Sequence, residues 1–254
     1  MSPNDHAVTD PHILVHRDGG IVTVEFSRRE KKNAITNAMY AAMADALHDA
    51  AIDDGVCVVL LQGQPDLFTS GNDLRDFLAP ADAGDRPVHR FLRTIAAYPK
   101  PIVAAVGGPA IGIGTTMLMH CDFVLATSDA RFHLPFVPLG LCPEAGSSLL
   151  LPQMAGHRLA ARLLMLGDPF DAVVARDAGI VTSIVDSASL LDEARSLANR
   201  LARLPQDALR TTKALLKRSL GRSTLEAIED ELPEFARLLG TDEARGIMRA
   251  FLSR

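Results

Sequence analysis

Short apolar runs alternate with amphipathic stretches along the chain as far as residue 187. Runs rich in β-branched and apolar residues predict strands at 13–15, 21–26, 56–62, 102–106, 123–126, 131–133 and 181–185. Apolar residues at helical spacing predict helices at 37–53, 88–98, 115–120, 145–154 and 157–166. The first two strands flank Asp18-Gly19-Gly20, a turn sequence that favours a hairpin. Because the later strands alternate with helices, we expect an α/β fold with parallel strand pairing.

From Ala188 onward the pattern is purely helical. One apolar stripe at helical spacing consists of Leu190, Ala194, Leu197, Leu201 and Leu204. Ser223 and Glu226 have the spacing of a capping box at the start of a later helix. Helical surface this apolar needs a partner, which is either the chain's own core or another subunit. We therefore divide the chain into a mixed region at 12–187 and a C-terminal helical region at 188–254, to which we assign a role in oligomerisation.

Composition and charge narrow the class of protein. The chain has 254 residues and a formal net charge of -5, which argues against non-specific binding of nucleic acid. Three cysteines, Cys57, Cys121 and Cys142, lack pair spacing, which is typical of a reducing compartment and predicts a cytoplasmic protein. The sequence shows no apolar run of membrane-spanning length and no signal-peptide segment, so no membrane partner is expected. Residues 79–87, rich in Ala, Asp, Gly and Pro, are predicted to form a mobile loop that shapes a pocket.

Two glycine-containing loops follow predicted strands and have the same design. Leu67–Leu74 follows the strand at 56–62, and Gly107–Gly114 follows the strand at 102–106. Glycine permits a positive φ, and N–H groups at the start of a helical turn lack partners within the helix. Such groups suit an anion or a carbonyl oxygen that becomes one. One loop alone is typical of an ordinary connection, whereas two in one sheet can direct two N–H groups at one oxygen.

Several motifs carry a resemblance to a known family. They are Asn33-Ala34, Phe68–Leu74, Pro109–Gly114, Cys121-Asp122, Leu139–Ser148 and Ala175–Val181. In this order they resemble the crotonase superfamily, the enoyl-CoA hydratase/isomerase family, over residues 12–254. The resemblance implies a crotonase-type spiral of ββα units with a C-terminal all-helical region, assembled as homotrimers or dimers of trimers. It also implies an acyl-CoA thioester substrate, with coenzyme A carried as part of the substrate and no separate cofactor.

The resemblance also implies roles for individual residues. The backbone N–H groups of Ser70 and Ile113 would bind the thioester oxygen. The residues implied to bind the CoA arm are Phe68, Thr69, Ser70, Gly71, Asn72, Asp73 and Leu74. Lys31 or Lys32 would lie near the CoA phosphates, although a solvated loop also explains the basic run at 28–32.

Departures from the family pattern point to one reaction. Hydratases of the family activate water with two glutamates, and the corresponding positions here hold Thr116 and Phe136. Ordinary hydration is therefore not expected. Glu144 stands where the peroxisomal-type Δ3,Δ2-enoyl-CoA isomerases and their bacterial relatives carry a single catalytic glutamate. The resemblance thus implies an enoyl-CoA isomerase of fatty acid metabolism in which Glu144 acts as both base and acid.

Glu144 also has a purely structural interpretation. A glutamate directly after Pro143 suits the first turn of a helix, where its charge is favourable. Hydratase chemistry, another acyl-CoA reaction, or acyl-CoA binding without turnover are the competing functions. The residues expected to form a dry wall beside Glu144, and so to draw its pKa toward neutrality, are Phe68, Phe136, Leu139 and Leu141. His120, Cys121 and Asp122 are adjacent and do not share a helix face, so no metal site is predicted.

Overall fold

A computed structural model describes residues 10–78, 86–218 and 223–253, so most of the loop predicted at 79–87 lies outside the described residues. The strands are β1 (Ile13–Asp18), β2 (Ile21–Phe26), β3 (Val58–Gln62), β4 (Ile102–Val106), β5 (Pro109–Ile111), β6 (Phe123–Thr127), β7 (Arg131–His133), β8 (Phe170–Asp171) and β9 (Ser183–Val185). The helices are α1 (Asn37–Ile52), α2 (Leu74–Leu78), α3 (Pro87–Ala96), α4 (Ile113–Thr116), α5 (Ser147–Ala155), α6 (His157–Ala161), α7 (Ala172–Asp177), α8 (Leu190–Ala202), α9 (Gln206–Arg218), α10 (Thr224–Leu239) and α11 (Asp242–Leu252). Short 3-10 turns occur at Arg29–Lys31, Met117–His120 and Val137–Leu139, and a wide helical turn continues α6 over Arg162–Leu166.

The central sheet has the strand order β1-β2-β3-β4-β6-β9. β1 and β2 form the predicted antiparallel hairpin, with Ile13 opposite Phe26, and every later neighbour pairs in parallel. β3 and β4 are buried along their whole length, as expected of parallel strands covered on both faces. The predicted α/β fold with parallel pairing is therefore confirmed.

A second, three-stranded sheet has the order β5-β7-β8 and was only partly predicted. β7 was expected, whereas β5 and β8 span three and two residues. β7 is also only three residues long, but β5 begins with a proline and β8 has only two positions, so neither of these two shows the pattern of a strand. β5 runs parallel to β7 directly after the glycine pair at 107–108, so this small sheet fixes the second glycine loop.

The C-terminal helices pack on their own chain. On α8, the buried residues Leu190, Ala194 and Leu201 contact the face of the sheet formed by Val58 and Val103. Leu204, the last residue of the predicted stripe, is 49% exposed. The apolar surface of α8 therefore covers one face of the sheet, and the assigned role of 188–254 in oligomerisation stays a prediction.

Helix α10 lies against α3 and α5. Its start is the predicted capping box, in which the Ser223 and Glu226 side chains each bind the other residue's backbone N–H. An ion pair of 2.7 Å between Arg93 and Glu229 joins α3 to α10. Within the described residues, no helix has the length and apolar content needed to cross a membrane.

Candidate active site

The two glycine loops lie side by side. The Thr69 N–H donates to the Pro109 carbonyl at 2.9 Å, and the Ile111 N–H donates to the Thr69 carbonyl at 3.1 Å. Gly71 has φ +86°, and a Cβ atom there would lie 2.5 Å from the Ile111 carbonyl oxygen. A residue without a side chain is thus needed for this close approach. The contact brings the ends of β3 and β4 into one site.

The N–H group predicted at Ser70 is not available to a substrate. It donates to the Lys32 carbonyl at 2.9 Å, which corrects the prediction that it binds the thioester oxygen. Asn72, two residues on, is different. The Ile35 N–H binds the Gly71 carbonyl and the Asp73 N–H binds the Ile35 carbonyl, so the backbone is fixed on both sides while the Asn72 N–H has no acceptor among the described residues.

The N–H group predicted at Ile113 is unpaired within the described part of the chain. Ile113 is the first residue of α4 and follows Gly112, whose φ is +56°. The first N–H groups of a helix lack an intrahelical acceptor and lie at its positive end. Among the described residues, the N–H of Asn72 in the first loop and the N–H of Ile113 in the second are therefore both unpaired.

Glu144 lies in the interior next to Thr116. Glu144 is only 5% exposed, and the Thr116 hydroxyl donates to Glu144 Oε1 at 2.5 Å. Burial raises the pKa of Glu144 to about 8; the Thr116 hydrogen bond lowers it, and the negative charge of Glu231 raises it further. Thr116, which stands where the hydratases have one of their two glutamates, thus forms a hydrogen bond to the Glu144 carboxyl.

The backbone around Glu144 is a strained turn held from several sides. Ala145 has φ +60° and Gly146 has φ +72°, so α5 begins only at Ser147 and not at 145 as predicted. A first-turn position within α5 therefore does not account for Glu144. The His120 ring donates from Nε2 to the Ala145 carbonyl at 2.8 Å, and burial lowers the His120 pKa to about 4, so the ring is neutral at physiological pH.

Glu231 of α10 anchors the same turn from the other side. Its carboxylate accepts the Gly146 N–H at 2.6 Å, the Ser148 N–H at 3.0 Å and the Ser148 hydroxyl. These groups form the positive end of α5, where a carboxylate is favourable. This contact was not predicted, because Glu231 lies far along the chain and has the appearance of an ordinary charged helix residue.

A tyrosine supports the other loop and was likewise missed. The Tyr40 hydroxyl on α1 donates to Asn72 Oδ1 at 2.5 Å. Burial, followed by the charges of Glu144 and Asp76, raises the pKa of Tyr40 well above its usual value, so the hydroxyl keeps its proton. Tyr40 therefore holds the Asn72 side chain.

Glu144 and Asn72 share a cavity of about 390 Å³. Its apolar lining residues come from α3 and α10: Val88, Leu92, Leu232, Phe235, Ala236 and Leu239. Arg86, His89 and Arg245 supply its remaining charged or polar side chains. A volume in this range is typical of small-molecule sites.

The wall predicted from the sequence is not the wall of this cavity. Phe68 packs edge-on against Phe26 with ring centroids 5.3 Å apart, and Phe136 and Leu141 are buried in the main core. Leu139 packs against that core as well. The prediction chose apolar residues near Glu144 in sequence, whereas the wall comes from a helix that only the tertiary fold brings there.

The predicted CoA-binding residues divide into two groups. The side chains of Phe68 and Thr69 are buried, with the Thr69 hydroxyl bonded to the Asn33 carbonyl at 2.6 Å, so they do not reach a ligand. Asp73 pairs with Arg28 at 2.9 Å; burial raises the pKa of Asp73, but the hydrogen bonds from Arg28 and the Arg75 backbone outweigh it and hold the pKa below its usual value.

Ser70, Asn72 and Leu74 are half-buried, and Gly71 touches Ile111. Lys31 and Lys32 are exposed on the loop whose carbonyl binds Ser70. The proposed contact of these lysines with CoA phosphates stays a prediction.

Comparison with known proteins defines the class. The sequence model described as Enoyl-CoA hydratase/isomerase matches residues 16–254, and the chain belongs to this family. The solved structure of Pseudomonas aeruginosa OdaA has a TM-score of 0.92 and 44% identity, and the match covers 96% of this chain and 100% of that one.

Two curated relatives differ in their named reactions. Enoyl-CoA delta isomerase 2 of Rattus norvegicus is 37% identical over 226 residues, covering 86% of this chain, which spans only 57% of the rat protein's length. The 2,3-dehydroadipyl-CoA hydratase of Escherichia coli K12 is 30% identical over 246 residues, covering 95% of this chain and 96% of the relative. The family is thus defined, and the reaction has to be argued from the site.

Proposed function

We propose that the protein is a Δ3,Δ2-enoyl-CoA isomerase. The observation that carries the proposal is the burial of Glu144, which has a pKa of about 8 and is the one carboxylic acid among the described residues that line the cavity. A carboxyl that titrates near neutral pH can accept a proton and return it. The relative named enoyl-CoA delta isomerase 2 supports the same reaction.

The reaction requires one proton to move between two carbons. The Glu144 carboxylate removes a proton from C2 of the 3-enoyl thioester. The electron pair of that C–H bond forms a double bond between C1 and C2, while the π pair of the carbonyl moves onto the thioester oxygen. The resulting dienolate takes the proton back at C4, which leaves the double bond at C2–C3 and restores the carboxylate. One carboxyl therefore serves as base and then as acid.

We assign the stabilisation of the dienolate to the unpaired N–H groups of Asn72 and Ile113. Both are fixed before substrate binds, Asn72 between two backbone hydrogen bonds and Ile113 at the start of α4. One preorganised donor of this kind typically contributes ~10²–10³ in rate. The chemistry needs no cofactor beyond the coenzyme A that the substrate carries, whose phosphates we place near Lys31 and Lys32.

Hydration is the competing reaction, and the relative named as a hydratase motivates it. Water addition in this family uses two glutamates, and here Thr116 donates its hydroxyl to Glu144 while Phe136 is buried in the core. A single carboxyl without a second one to orient water favours proton transfer between carbons.

We also propose that the protein forms a homotrimer and lies in the cytoplasm.

The test compares wild type with Glu144→Gln on a 3-enoyl-CoA. We expect the ultraviolet absorbance of the conjugated thioester to rise with wild type. With the variant, the rate of this rise should be lower by at least about a hundredfold. Glu234→Gln, an exposed glutamate of α10 paired with Arg237, is the control and keeps wild-type activity. Equal rates for wild type and Glu144→Gln would refute the proposal, and a product heavier by one water would assign hydration instead.

A further inference from the structure

The cavity that contains Glu144 carries more positive charge than the proposed reaction uses. Arg86 and Arg245 both line it, and within the described ranges Glu144 is the one acid that lines it. We infer that the cavity selects acyl chains that carry an anionic group, a carboxylate, at the end away from the thioester. This inference rests on the proposed function, since it names the substrate class of the same site.

Arg245 is the principal cation. It lies on α11, is half-buried, and forms no side-chain hydrogen bond or ion pair with any residue that the structure describes. Withdrawing a guanidinium from water without a partner costs free energy, which a bound carboxylate would return. An apolar residue would suit a cavity meant for a chain that ends in a methyl group. The position of Arg245 is therefore explained by an anionic ligand.

Arg86 is the second cation. It lies directly before α3, is half-buried, and borders both this cavity and a small pocket lined by Asp73 and Asp76. Those two acids are engaged elsewhere: Asp73 pairs with Arg28 at 2.9 Å, and Asp76 accepts the Asn37 N–H at 2.8 Å. Across the described ranges, neither acid forms an ion pair with Arg86. Among the described residues its guanidinium thus has no acidic partner and can bind an anion on the cavity side.

Apolar residues line the same cavity as the cations. Leu92, Leu232, Phe235 and Leu239 supply this lining, which suits the methylene groups of an acyl chain. A planar guanidinium binds a carboxylate through two parallel hydrogen bonds, which gives orientation as well as affinity. A chain with apolar methylenes and a charged end matches this lining better than a wholly apolar chain does.

The phosphates of coenzyme A are another source of negative charge. A cavity of about 390 Å³ is small for a whole acyl-CoA, and the exposed basic loop at Lys31 and Lys32 already offers cations outside it. We therefore assign Arg245 and Arg86 to the acyl end. An experiment can separate the two sources, because a pantetheine thioester carries the acyl chain without the nucleotide phosphates.

The test measures dissociation constants of saturated acyl-CoA esters by calorimetry. Two esters of equal chain length are compared, one ending in a carboxylate and one in a methyl group, with wild type, Arg245→Met and Arg86→Met. We expect wild type to bind the carboxylate ester about tenfold more tightly, corresponding to one charge-assisted pair. Arg245→Met should abolish this ratio. Arg245→Lys should retain part of it, and Arg249→Met, at an exposed position of the same helix, should leave it unchanged.

Two results would overturn the inference. One is equal or weaker binding of the carboxylate ester by wild type. The other is an equal weakening of both esters in the arginine variants that disappears with pantetheine thioesters, which would assign the arginines to the CoA phosphates. Failure of wild type to isomerise 3-enoyl-CoA esters with either kind of chain end would refute the proposed function alone, because the ratio of dissociation constants of the saturated esters decides the inference without turnover.

Discussion

Replacing Glu231 by glutamine tests how the turn that bears Glu144 is held. Each oxygen of the Glu231 carboxylate accepts one backbone N–H, from Gly146 at 2.6 Å and from Ser148 at 3.0 Å. Glutamine keeps one acceptor oxygen and turns its amide toward the other N–H. Glu231 is only 8% exposed, so the N–H left without an acceptor is buried. A buried N–H without an acceptor costs about 1–3 kcal/mol. We expect the free energy of unfolding to fall by about 2 kcal/mol.

The same substitution should move the pH dependence of catalysis. The negative charge of Glu231 raises the pKa of Glu144, so a neutral glutamine lowers it and shifts the rise of kcat/KM to lower pH. Urea unfolding gives the stability, and the pH profile of isomerisation gives the shift. Glu234→Gln on the same helix, in an exposed pair with Arg237, should change stability by less than about 0.5 kcal/mol. A loss of stability with an unmoved pH profile would mean that Glu231 is structural only.

Three further predictions concern the same site. For wild type, kcat/KM should rise with pH toward about 8 as Glu144 ionises. The free energy of unfolding relative to Glu144→Gln should fall by up to about 1.4 kcal/mol per pH unit between pH 4.5, the pKa of Glu144 in the unfolded chain, and about 8, its pKa in the folded protein, because only the folded state holds the proton in this range. A difference in urea unfolding that does not change with pH would contradict this. Thr116→Val removes the hydrogen bond that lowers the Glu144 pKa, so the kinetic profile should move to higher pH, and an unchanged midpoint would be the contrary result. Gly71→Ala should destabilise the protein by about 3 kcal/mol in urea unfolding, because φ is +86° and the new Cβ would lie 2.5 Å from the Ile111 oxygen, whereas Gly246→Ala, with open space around it, should not.

Much of the framework could be predicted because its signals are local. β3 and β4 are continuous apolar runs, which is the pattern of strands buried on both faces, and the predicted capping box at Ser223 and Glu226 is present. The loop at 67–74 was recognised from its glycine and polar residues. Which of its N–H groups is unpaired depends on the backbone at Gly71, and the sequence pattern does not contain that information. The prediction therefore chose the N–H of Ser70, which is already bonded to the Lys32 carbonyl, whereas the N–H of Asn72 in the same loop is unpaired among the described residues.

Contacts between distant segments could not be predicted in the same way. Much of the cavity wall, as well as Glu231, comes from α10, whose residues show only the ordinary amphipathic pattern of a helix. That pattern indicates that one face of the helix is buried, but it does not indicate which other element that face contacts. The sequence offered another subunit as one partner for this region, and the structure has the helix packed on α3 and α5 of its own chain.

A site with one carboxyl depends on these distant contacts more than a sheet does. Ala145 holds a left-handed backbone that costs of the order of 1 kcal/mol for a residue with a side chain, so the turn does not keep this shape by itself. The hydrogen bonds from His120 and to Glu231 are what fix it, and Glu231 is available only when α10 has docked. Docking of α10 also supplies part of the apolar wall of the cavity beside Glu144, and burial raises the pKa of Glu144. The C-terminal helices therefore complete the proposed proton-transfer site, because the same packing step positions the carboxyl and sets the environment in which it titrates.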